Sequence, residues 1–191
     1  MHTDTTQAAT PVLDRLSIRL HWLVGLIFMA LLAMGFYMEM NEAYDLYDLH
    51  KSVGSLILLV AIARILWRIR NGWPQAAPQD KPWQILLARG VQVILLTATA
   101  LMPVSGVLMS IGGGHDLAIF GWELVAAIPD PNNAHEVIAP YPALADLGHA
   151  IHGILGNLVA AALVLHVLGA LKHHLFENDN RLRQMLGQRT L

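Results

Sequence analysis

Residues 146–174, DLGHAIHGILGNLVAAALVLHVLGALKHH, are apolar enough and long enough for a helix that spans a bilayer, yet they carry five histidines. His152 and His166 are fourteen residues apart. At about 100° and 1.5 Å per residue, they fall within about 40° of one another on one face and about 21 Å apart along the axis, most of a hydrocarbon core. An imidazole in lipid is costly unless its nitrogens find partners. Two on one face at opposite depths therefore point to axial ligands, one for a heme near each surface. His149 lies one turn before His152 but about 100° round the helix from His166, which fits a helix-end or interfacial role. His173 and His174 close the helix, where its dipole and the lipid headgroups favour a protonated imidazole.

The rest of the chain has the same character. Of its 191 residues 55% are hydrophobic and only 14% charged, with a mean hydropathy of +0.48, too apolar for an ordinary soluble domain. Cysteine is absent, which excludes disulfides, thiolate metal sites, iron-sulfur clusters and covalent heme attachment, and leaves histidine as the main strong ligand. Three further spans are predicted at about residues 14–40, 46–70 and 83–111, giving an all-α transmembrane four-helix bundle over 14–176. Gly72 and Pro74 stop the second span, and Pro103 is expected to kink the third. A polar tail over 1–13 is expected to be disordered, the first span is expected to stay as an uncleaved anchor, and residues 177–191 form a basic amphipathic tail. Between 112 and 141 the apolar run LAIFGWELVAAI is too short to cross, so an interfacial or re-entrant segment is expected there.

Charge orients the bundle. Eleven of the twelve Lys and Arg residues lie at the termini or in the second loop; Lys51 alone lies on the other side, where the two remaining loops hold nine acids. The positive-inside rule then places both termini in the cytoplasm. In that topology His21 at the start of the first span and His166 share the inner depth, while His50 and His152 share the outer. The expected ligand pairs are His21 with His166 and His50 with His152, for two non-covalent b hemes, each six-coordinate and suited to outer-sphere electron transfer. Arg15, Arg19, Arg64, Arg68 and Lys172 are placed to pair with inner-heme propionates, although positive-inside anchoring accounts for them equally well. Lys51 is the one basic residue able to serve the outer heme. Gly25, Gly54, Gly153 and Gly156 read as helix-packing residues.

The segments RLSIRLHWLVG (15–25), DLHKSVGSL (48–56), ALMPVSGVLMS (100–110), IHGILGNL (151–158) and LHVLGALKHHLFENDNRLRQMLG (165–187) occur in that order. As a set they resemble the bacterial cytochrome b561 family of four-helix diheme membrane proteins. The resemblance implies bis-histidine ligation at His21, His50, His152 and His166. It also implies a quinone site near the cytoplasmic surface, with ubiquinone as the expected substrate and His173 as a contributor. Two positions depart from the family pattern. Gln92 stands where many relatives have a histidine early in the third helix, and SIGGGHD lacks the basic residue of relatives that oxidise superoxide. Three functions follow as expectations: an electron carrier between the quinone pool and a periplasmic redox partner, a superoxide:ubiquinone oxidoreductase, or a membrane anchor for a periplasmic oxidoreductase. The expected surroundings are membrane lipid, quinone and that redox partner, with no nucleic acid.

Overall fold

The computed structural model describes residues 14–73, 81–177 and 180–188. The tail expected at 1–13, part of the loop after Gly72 and the last three residues lie outside them. Four long helices carry the chain: α1 (Arg15–Asn41), α2 (Tyr47–Asn71), α3 (Pro82–Gly113) and α4 (Pro142–Phe176). Each is long and apolar enough to cross a membrane. Within the most apolar part of each span only 11–22% of residues are buried inside the protein, so most of the apolar surface is left for lipid.

Local chemistry sets the ends. Asp14 caps α1, accepting from the Ser17 amide at 2.8 Å and the Ser17 hydroxyl at 2.6 Å. Those bonds hold its carboxyl below the usual aspartate range. Glu42, at φ 52°, closes α1 by donating its amide to the Met38 carbonyl. The α3 helix continues through Pro103, although proline offers no N–H to the carbonyl of Thr99.

The packed interior is small. Val24 and Leu31 of α1 meet Ile57 of α2, with Ile27, Val53 and Val60 against them. At the other side of the bundle α3 and α4 touch backbone to backbone. A Cβ on Gly148 would lie 2.8 Å from the Ser105 carbonyl oxygen, and one on Gly112 would lie 2.7 Å from the Ala145 nitrogen. Only glycine permits that approach.

Between α3 and α4, where an interfacial or re-entrant segment is expected, the chain forms two antiparallel hairpins, β1 (Leu117–Ile119) with β2 (Trp122–Val125) and β3 (Pro129–Asp130) with β4 (Asn133–Val137). A run too short to span instead satisfies its backbone across a ladder. The basic tail holds a short helix, α5 (Arg181–Met185), tied to the bundle by the Trp22 indole, which donates to the Met185 carbonyl at 2.7 Å.

Candidate histidine sites at the two ends of the bundle

The antiparallel order brings the start of α1, the end of α2 and the end of α4 to one end of the bundle. There the His21 and His166 rings face each other with centroids 6.0 Å apart and planes inclined at 52°. At the opposite end His50, near the start of α2, faces His152 of α4 with centroids 6.2 Å apart and planes at 66°. Both pairs expected from depth matching are thus brought together. All four rings are partly buried, whereas His149 is exposed. Among the described residues no three His, Cys, Asp or Glu side chains converge as a metal cluster. Two-ligand sites are therefore the metal chemistry on offer.

The second nitrogen of each ring distinguishes the sites. His152 Nδ1 lies 3.1 Å from the Met102 carbonyl and 3.0 Å from Ser105 Oγ, which itself donates to Met102 at 2.7 Å. A carbonyl only accepts, so Nδ1 carries the proton and Nε2 keeps a free lone pair. His50 Nδ1 is buried without a partner among the described residues. At the end of the bundle that holds His21 and His166, Arg64 Nη2 lies 3.2 Å from His21 Nδ1, and since guanidinium only donates, that nitrogen is unprotonated here. Trp22 stands edge-on to His21 at 5.6 Å.

Both pairs fit a planar ring with a central metal. Two imidazoles on one iron, each nitrogen about 2 Å from it, put their ring centroids about 6 Å apart, the separation found at both ends. Space beside them is also provided. One turn along from His21, His50, His152 and His166, on the same helical face, stand Gly25, Gly54, Gly156 and Gly169. A Cβ on any of the four would meet no atom of the described residues within 4 Å. Gly25, Gly54, Gly153 and Gly156 are thus not packing contacts, as their sequence pattern implied; they border open space. Gly35 of α1 and Gly106 of α3 pass 3.6 Å from the His50 and His152 rings, measured from their missing Cβ positions.

The other expected site residues are placed differently. Lys51 reaches Asp116 at 2.8 Å and Asp48 at 3.5 Å, so its ammonium is held by carboxylates at the end of the bundle that holds His50 and His152. Arg19 is exposed. His173 is half-buried and hydrogen-bonds Glu177, which Lys172 also holds at 2.5 Å. Lys172 first and then His173 keep the Glu177 carboxyl below its ordinary range. The hydrogen bonds of His152 to Met102 and Ser105 and the tie from Lys51 to Asp116 were not anticipated. Nor was His174, whose Nδ1 is buried without a partner among the described residues.

Known proteins resemble this chain over most of its length. The family profile described as prokaryotic cytochrome b561 matches residues 12–188. Cytochrome b561 homolog 2 of Escherichia coli K12 is 32% identical over 178 residues, covering 91% of this chain and 90% of the relative. Cytochrome b561 homolog 1 of the same organism is 22% identical over 181 residues, 92% of this chain and 97% of the relative. A probable superoxide oxidase CybB of Yersinia pestis is 31% identical over 176 residues, 90% of this chain and 93% of the relative. With four apolar spanning helices and a family match over nearly its whole length, the chain belongs to the prokaryotic cytochrome b561 family of membrane electron-transfer proteins with b-type heme.

Proposed function

We propose that this chain is a diheme carrier that moves electrons across the bacterial inner membrane between the quinone pool and a periplasmic redox partner, with both termini in the cytoplasm. The observation that carries this reading is the pairing itself: two imidazole pairs, each bordered by glycine-lined open space, at opposite ends of one four-helix bundle. His21 and His166 would hold one b heme and His50 and His152 the other. Heme held by these pairs would supply one-electron, outer-sphere transfer.

The chain's own groups set the conditions. Met102 and Ser105 orient His152 with its Nε2 lone pair free, the usual support for a ligating histidine. Ligation through His21 Nε2 requires the proton on Nδ1. The Arg64 contact must then give way, freeing a guanidinium for a propionate. His173, donating from Nδ1 to Glu177 in its neutral form, keeps Nε2 to accept from a quinol hydroxyl near the same end. Arg19, exposed on the first turns of α1, adds positive charge there.

Proteoliposomes with trapped ferricyanide and an external ubiquinol analogue test the proposal. Ferricyanide should be reduced, and both His152→Ala and His166→Ala should abolish the transfer. Undiminished reduction in either variant would contradict it. The Yersinia pestis relative raises a superoxide:ubiquinone activity as the second reading. Against it stands the outer electrostatics, because Lys51 is neutralised by Asp116 and Asp48 and offers an anion little steering.

A further inference from the structure

The β1–β2 hairpin has a turn that folding preference does not explain. Between the paired residues Ile119 and Trp122 stand Phe120 at φ 50° and Gly121 at φ 85°. A two-residue turn with both central residues at positive φ favours Asn or Gly at the first position, and a bulky side chain there is an outlier. Phe120 gains no burial in return: it is 65% exposed and Trp122 is 74% exposed. Backbone strain held without a folding benefit points to a contact outside the chain.

The hairpin is also fixed in depth. Ser52 Oγ accepts from the Phe120 amide at 2.9 Å and donates to the Ala118 carbonyl at 3.3 Å, and Lys51 holds Asp116. Ser52 lies five residues into α2, so the tip is bonded about 7.5 Å inward from the first residue of that helix. The stacked, exposed Tyr44 and Tyr47 mark the outer end of the span. The tip therefore adjoins the lipid-facing side of α2, where Leu49, Leu56 and Leu59 are exposed. Its aromatic surface continues the apolar surface that the spanning helices already give to lipid.

We infer that the β1–β2 hairpin is an interfacial anchor whose Phe120 and Trp122 enter the headgroup–acyl boundary of the leaflet nearest His50 and His152. Aromatic rings at that level suit the boundary, which takes an apolar body and a polar edge. The Ser52 and Lys51 bonds connect the anchor to the two residues that follow His50, so lipid contact at the tip steadies that turn of α2. This inference rests on the membrane-spanning reading of the four helices.

Nitroxide labels at single cysteines test it, since the chain has none of its own. Phe120→Cys, Leu124→Cys, Asn132→Cys and Leu59→Cys, in the full heme-loaded chain, are reconstituted in phosphatidylethanolamine–phosphatidylglycerol vesicles. Power saturation is then read with oxygen and with a water-soluble nickel chelate on both sides. Asn132 on the second hairpin is the water reference and Leu59 the mid-span reference. Labels at 120 and 124 should be open to oxygen and several-fold less open to nickel than the label at 132. If Phe120→Cys loses heme, position 124 decides. Nickel access equal to that at 132, as for a water-facing or protein-docking tip, or shielding from both reagents, overturns the anchor. A label at 59 that is open to nickel overturns the spanning reading and the anchor with it.

Discussion

Filling the glycine gaps should expel one heme at a time. At Gly156, one turn from His152, a new Cβ meets nothing within 4 Å, and the same holds at Gly25, one turn from His21. In the heme-free chain the Cβ of Gly156→Leu therefore meets none of the described residues within 4 Å. The substitution gains helix propensity, about 1 kcal/mol. Any penalty falls on the heme-bound state, where overpacking costs about 1–3 kcal/mol, or about 5- to 150-fold in heme affinity. The assay is heme per chain after washing with apomyoglobin as a heme acceptor, with circular dichroism to confirm helix content. Gly156→Leu should lose the outer heme, Gly25→Leu the inner, and Gly90→Leu, also facing open space but one turn from none of the four histidines, neither. Retention of both hemes by Gly156→Leu and Gly25→Leu, or loss in Gly90→Leu, would refute the reasoning.

Three further outcomes are expected. His152→Ala should lose the outer heme alone, while His149→Ala, truncating an exposed ring, should keep both, as read by the pyridine hemochrome spectrum. Arg64→Gln removes a positive charge beside His21 and should lower the midpoint potential of the inner heme by roughly 50–100 mV, about 1–2 kcal/mol, in a potentiometric titration; an unchanged potential would place Arg64 away from the inner site. A reporter fused after Leu191 should be active in the cytoplasm and one inserted near Asn132 in the periplasm, and the reverse would invert the proposed direction of electron flow.

The four helices were legible because a bilayer demands long apolar runs, and hydropathy reports those directly. The helix end at Gly72 was legible for the same local reason that operates in the structure. The hairpins were not. LAIFGWELVAAI has no clean alternation, and its turn uses Phe120–Gly121 rather than a common turn pair. Depth alone brought His21 to His166 and His50 to His152, since antiparallel helices fix which residues share a level. What depth leaves open is the partner of each second nitrogen. The Met102 carbonyl is a backbone atom with no sequence signature, and Arg64 reads equally as a membrane anchor. The glycines at one-turn spacing from each histidine were visible all along. They resembled packing residues because small residues serve close helix contact and ring clearance alike.

The most direct measurement is heme content by pyridine hemochrome against protein by amino-acid analysis, for the wild type, His152→Ala, His166→Ala and the double variant. With one bis-histidine heme at each end, acidified acetone should extract all heme, and the ratios should be about two, one, one and none. A wild-type ratio of one, heme retained on the polypeptide, or a double variant still holding heme would contradict the two-site assignment.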